Sequence, residues 1–288
     1  MGQLSGFDGP RSRTRLPEGA SSNALIRWRA LLGAAAVLNL ALWWLSAVAL
    51  TRSQQRVPGD PDSASQLQLL LSAGYVLGCA FRSIFPVYDI PRVVLVDSRV
   101  SSVMVGRSVA TIAELCFAAQ WALILHRTAV LTQSQFAEVS SLAIVPLIVV
   151  AEVFSWHAVL TTAQRGHVVE NSIWGVAAAL VVAGLLLNGP SRIFELYPPM
   201  IAWCLGGAAY VGFMFCFDVP MYWSRWLADQ ASGRRYLTVY EGALDIGQRR
   251  VVSWRWEDWK SEVLWMTLYF TFGVWSSISL VYASIALG

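Results

Sequence analysis

Seven long apolar runs separated by polar connections dominate the chain, at about 28–50, 66–85, 107–126, 139–162, 172–188, 197–217 and 262–286. A helix needs about 17 to 25 apolar residues to cross a hydrocarbon core of about 30 Å, and each run is of that kind. None alternates with a period of two, as the strands of a membrane barrel do. A bilayer offers the backbone no water, so each run satisfies its own peptide groups as a helix. The pattern predicts an all-α integral membrane protein, a bundle of about seven transmembrane helices. Its parts are a basic, disordered segment 1–27 rich in Gly, Ser, Pro and Arg, a six-helix membrane region 28–217, a loop 218–261 and a last transmembrane helix 262–288.

Composition agrees. The chain is 56% hydrophobic and only 14% charged, against roughly 25% charged residues in soluble proteins. Charge adds orientation. Of the 21 basic residues, twenty are arginine, and with seven spans seventeen of the 21 fall on one side. The other side has Arg52, Arg56, Arg127 and Arg192. The positive-inside rule places the N-terminus in the cytoplasm and the C-terminus outside, and the bias survives removal of the long last loop. The arginine-rich start, the first apolar run and Ala47-Val48-Ala49 imitate a cleavable signal. The run is long, and the segment before it is itself about the length of a signal peptide, so it reads as an uncleaved anchor. Arginine in place of lysine fits a GC-rich genome, and the expected location is a bacterial inner membrane.

Small features carry packing rather than chemistry. Cys79, Cys116, Cys204 and Cys216 all fall within spans and form no CxxC pair, so they read as packing residues. Gly74 with Gly78, and Ala208 with Gly212, have the spacing of close helix contacts. In the 218–261 loop, Asp218 to Leu227 mixes aromatic residues with Arg225 and suggests a short interfacial helix. Tyr236 to Val252 contains β-rich runs around Gly242 and Gly247 and suggests a small hairpin. Trp254, Trp256 and Trp259 read as an interfacial belt, with an aromatic ligand platform as the alternative.

Ionisable residues inside spans are costly, so each raises a functional hypothesis. Tyr75, Cys79 and Arg82 share one face of the second span, and Arg107, Thr111 and Glu114 share one face of the third. At ~1.5 Å per residue, Glu114 lies about 10 Å in from the cytoplasmic end. Glu152, Ser155 and Trp156 share a face of the fourth span, at nearly the same depth, with His157 next in the chain. Glu170 and Asn171 stand at the cytoplasmic mouth of the fifth span, Asp218 ends the sixth and Glu262 begins the seventh. The outer halves are nearly free of charge, with Gln120 and a few hydroxyls as their polar groups. One polar pocket opening to the cytoplasm follows, with Glu114 and Glu152 as candidate acid/base groups and Arg82, Arg107, Trp156, His157 and Asn171 as candidate substrate-binding residues. The same residues also suit structural ion pairs or a proton pathway. In the second connection Arg82, Arg92, Arg99 and Arg107 suit an anionic headgroup. They equally serve to set topology and snorkel to lipid.

Several classes are excluded. The single lysine, Lys260, precedes the last span, so no retinal site exists there. His126, His157 and His167 do not match in depth, and HExxH, GxSxG, Walker and DxxxD motifs are missing. No metal, cofactor or nucleic-acid partner is expected. His157 beside Glu152 or Glu114 comes nearest to a metal pair. The leading expectation is an enzyme acting on a lipid-soluble small molecule, lipid or isoprenoid-like. A transporter using the same carboxylates and a non-catalytic subunit docking a membrane partner through 218–261 are the alternatives. Membrane lipids surround all three.

Overall fold

The computed structural model describes residues 22–54, 63–187 and 190–287. Residues 1–21 of the segment read as disordered lie outside them. Among the described residues seven helices are long and apolar enough to cross a membrane. They begin with α1 (Ser22–Gln54), α2 (Ser63–Ile84), α3 (Val103–Thr132), α4 (Gln135–Thr161) and α5 (Gln164–Leu187). A short helix, α6 (Pro190–Leu196), leads to α7 (Pro199–Phe213), a π-helical segment Met214–Asp218 and α8 (Val219–Ala231), which run on as one span of 33 residues. After α9 (Val239–Gln248) the last span joins α10 (Trp256–Leu268), a second π-helical segment Tyr269–Gly273 and α11 (Val274–Leu287).

Local chemistry sets the boundaries. Ser102 and Ser134 cap α3 and α4 by accepting from Val105 N–H and Ala137 N–H. Gln133 and Thr162 end the same helices in the left-handed region, at φ 52° and 61°. Only two residues then separate α3 from α4 and α4 from α5, which forces antiparallel neighbours. These helices therefore start earlier than their apolar runs, and α3 also ends later, at Thr132. Helix α5 begins at Gln164, well before the apolar run does at 172, and its polar first turns are helical too.

Close packing follows the small residues in α2. A Cβ on Gly78 would lie 2.7 Å from Ala113 Cβ, and one on Gly74 the same distance from Cys116 Sγ. Gly212, by contrast, faces open space, so the Ala208/Gly212 pair makes no such contact. All four cysteines are free.

The basic end carries a small cap. Strands β1 (Val87–Tyr88) and β2 (Val93–Val94) pair antiparallel, and β3 (Val251–Val252) adds parallel to β2. Where a hairpin was expected in 236–252, the chain forms α9. Thr238 and Glu241 close a capping box that starts this helix, and its backbone lies so near α4 that a Cβ on Gly242 would sit 2.1 Å from Leu160 O. The expected interfacial helix is likewise not separate: α8 continues α7 without a break. The tryptophan belt is also partly internal. Trp259 is fully buried against Trp28 of α1, with ring centroids 5.9 Å apart, while Trp254 stacks under Arg29.

Candidate functional site

Arg107, one turn into α3, is the hub of a buried ionic cluster. Its Nη2 lies 2.7 Å from Glu152 Oε2, 3.0 Å from Glu114 Oε2 and 3.6 Å from Glu170 Oε1. Exposures are 6% for Arg107, 8% for Glu114, 3% for Glu152 and 6% for Glu170. The three carboxylates come from α3, α4 and α5, and their nearest oxygens all lie within 4.8 Å of one another. Thr111, one turn beyond Arg107, donates to Glu152 Oε2 at 2.5 Å and accepts from Trp156 Nε1 at 3.0 Å. Tyr269 donates its hydroxyl to Glu114 Oε1 at 3.2 Å. His167 Nδ1 bonds Glu170 Oε2 at 2.7 Å.

Both π-helical segments bear on this cluster. The first ends with Asp218, which accepts from Asn171 Nδ2 at 2.5 Å. The second begins with Tyr269. A π-turn adds a residue to the helical repeat and re-aims the side chains around it, and such turns recur at functional sites. Gly175 and Gly273 allow the approach. A Cβ on Gly175 would meet the Phe215 ring at 2.8 Å, and one on Gly273 would meet the Tyr75 hydroxyl at 2.5 Å.

Beside the cluster a groove of about 420 Å³ runs along α3 and α4. Leu115, Val149, Val153 and Leu160 wall it, Val239 of α9 also lines it, and Thr111, Glu152, Trp156 and His157 are its polar members. Val149, Val153 and His157 are exposed on the outer surface of the bundle. Glu152 Oε1 is buried and has no hydrogen-bond partner among the described residues.

The structure thus brings Glu114, Glu152, Arg107 and Trp156 into one network, with His157 at the groove's rim. Asn171 donates to Asp218 instead, and among the described residues no hydrogen bond or ion pair ties that pair to the network. No hydrogen bond or ion pair links Arg82 to the cluster among the described residues, and its buried Nε lacks a partner. A second polar group lies at the mouth, around Tyr88. Burial pushes the Tyr88 hydroxyl up, Glu262 adds to the rise, and Ser261 and Arg225 oppose it. Glu170 was assigned to the mouth of the fifth span because the apolar run starts late. The early helix start places it two turns in, beside Arg107. Its partner His167, three residues earlier, was the available signal. Tyr269 had none, since the π-turn sets its direction.

The arginines of the second connection divide. Arg92 is 1% exposed and at φ 59°. It pairs with Asp245 at 3.0 Å and donates to Asp89 O at 2.8 Å. It pins α9 to the β1–β2 turn, neither snorkelling nor facing a headgroup. Arg99 is exposed.

Outward from the cluster, uncharged polar groups interlock between α2, α3 and α11. Gln120 Nε2 donates to Gln68 O and Ser277 O at 3.2 and 3.1 Å. Ser277 Oγ donates to Gln120 Oε1 at 2.5 Å and lies 3.0 Å from Ser72 Oγ. Farther along, Ser65 and Ser284 hydroxyls meet at 3.3 Å. Compared with protein-family profiles, curated proteins and solved structures, the chain matches none.

Proposed function

We propose that the protein is an integral-membrane enzyme that acts on a lipid-soluble substrate, lipid or isoprenoid-like, by acid/base chemistry at Glu114 and Glu152. One observation carries this reading: a groove with aliphatic walls, open on the outer face of the bundle, has the buried residue Glu152 in its lining. An apolar molecule reaches such a groove sideways from the bilayer. Glu152 meets its polar part, and Trp156 and His157 line its path. Glu114, one guanidinium away, is the second member of the pair. Three carboxylates face one arginine, and charge in low dielectric must be compensated. A proton shared among them offsets part of the excess negative charge and is available for transfer. Arg107 positions the carboxylates, and Arg82 stands at the mouth. In this reading the basic end is cytoplasmic, the membrane is a bacterial inner membrane and 218–261 contributes the cytoplasmic cap.

A carrier is the second reading, favoured by the buried Gln68–Ser72–Gln120–Ser277 network, which continues polar groups toward the opposite end. One experiment separates the two. Wild-type protein and Glu152→Gln are purified in mild detergent, and bound molecules are identified by native mass spectrometry and extraction. The expected result is an apolar molecule retained by the wild type and lost from the variant. On incubation, the wild type converts it to a product of different mass, and Glu114→Gln and Glu152→Gln do not. A retained molecule that never changes mass but crosses proteoliposome membranes supports the carrier. If both proteins are equally folded and hold only bulk phospholipid, the ligand groove is wrong and the glutamates are structural.

A further inference from the structure

The charge of the groove selects the kind of head group it accepts. Its members include one ionisable carboxylate, Glu152, and one imidazole, His157. Thr111 is already engaged at both ends, donating to Glu152 and accepting from Trp156. Arg107 does not line the groove: its Nη2 faces Glu114, Glu152 and Glu170, and its unpartnered Nε is buried. Neither Arg82 nor Arg225 lines the groove. Apart from His157 at the exposed rim, what is left is Glu152 Oε1, a buried acceptor with no hydrogen-bond partner among the described residues, within a cluster of three carboxylates and one guanidinium.

An anionic head group fits this badly. A phosphate or carboxylate brings further acceptors to an unpartnered acceptor and negative charge to a negative cluster. A metal ion fits no better, because Arg107 Nη2 already stands among the three carboxylates at bonding distance. A protonated amine supplies both missing elements, N–H donors and positive charge, and the indole of Trp156 in the lining favours a cation over its face. The aliphatic walls Leu115, Val149, Val153 and Leu160 suit a hydrocarbon tail. We infer that the groove binds lipophilic amines in their protonated form, the ammonium donating to Glu152 Oε1 and the tail lying between α3 and α4. The inference rests on the proposed role of the groove as a ligand pocket and names the substrate class that pocket takes.

The test compares dodecylamine, dodecanol and dodecyl phosphate, three probes with one tail and different heads. Each is added to the full-length protein in nanodiscs, and retained probe is counted by mass spectrometry. Dodecylamine is expected to bind at least about ten-fold more tightly than either of the others, a difference of about 1.4 kcal/mol. Glu152→Gln is expected to remove that preference. Val153→Trp fills the groove from an exposed rim position, leaves the ionic cluster intact and is expected to abolish binding of all three. Dodecyl phosphate binding as well as the amine, or dodecanol equalling it, overturns the amine assignment and leaves the groove as a ligand site. A preference for the amine that survives Val153→Trp places its binding elsewhere and overturns the assignment too. Binding of none of the three overturns both.

Discussion

Arg107 contacts three buried carboxylates through a single nitrogen, so its loss affects folding before chemistry. Removing one partner of a buried ion pair costs roughly 3–5 kcal/mol, because the charges left behind have no solvent. Arg107→Gln is expected to destabilise the bundle by about that amount, and Arg107→Lys by less, since lysine keeps the charge without the fork. Thermal unfolding in detergent measures both. If Arg107→Gln unfolds like wild type, the carboxylates are already neutral in pairs and the hub assignment fails. At this scale the sequence was informative in part. The match in depth between Glu114 and Glu152 came from counting residues along two helices. That one guanidinium bridges them was not readable, because it depends on how α3 and α4 are rotated toward each other. Arg92 misled more: an arginine in a short loop reads as surface, and only the approach of Asp245 from 153 residues away buries it.

Among the elements, α9 and the two π-helical segments decide the shape of the site. Helix α9 lies against the end of α4, where Gly242 leaves no room for a side chain beside the Leu160 carbonyl. Backbone cannot yield as a rotamer does, so overpacking here costs roughly 1–3 kcal/mol. Gly242→Val is expected to lift α9 from the bundle while the spans stay folded. Limited proteolysis should then cut within 232–255, and amides of α9 should exchange faster. Unchanged protection of α9 would mean that the cap is held mainly by Arg92, Asp245 and the β2–β3 pairing. Sequence pattern failed at this segment for a clear reason: Tyr236 to Val252 contains β-branched and aromatic residues, but the Thr238–Glu241 capping box starts a helix at its centre. The π-helical segments had no sequence signal, since they arise where long helices adjust to their neighbours.

For the whole molecule, seven spans place the connection after α2, the turn after α4 and the 232–255 segment at one end. Contacts agree with that end being shared: α1 begins beside α10, where Trp28 donates to Thr267 at 3.0 Å, and Arg250 reaches Asp97 at 3.0 Å. In the orientation proposed above, this end is cytoplasmic. Arg99→Cys and Glu138→Cys, both exposed positions at opposite ends, report on it in a background lacking the four native cysteines. A membrane-impermeant maleimide added to intact cells is expected to label Glu138→Cys and to label Arg99→Cys only after permeabilisation. The reverse pattern inverts the topology and moves the groove to the outer leaflet.

Hydropathy along the chain by itself determined the number of spans, and the distribution of arginine set the expected orientation, because both are one-dimensional properties of a chain threaded through a slab. Depth was legible too, since helical rise converts residue number into distance. Tertiary structure alone decided which groups at one depth meet. It turned Arg107 toward three carboxylates, brought Glu170 in on an early helix start, aimed Tyr269 through a π-turn and buried Arg92 under α9. Each of these depends on the rotation of one helix against another or on pairing between distant segments. Such geometry is set by side-chain packing over the whole bundle, and no local pattern encodes it.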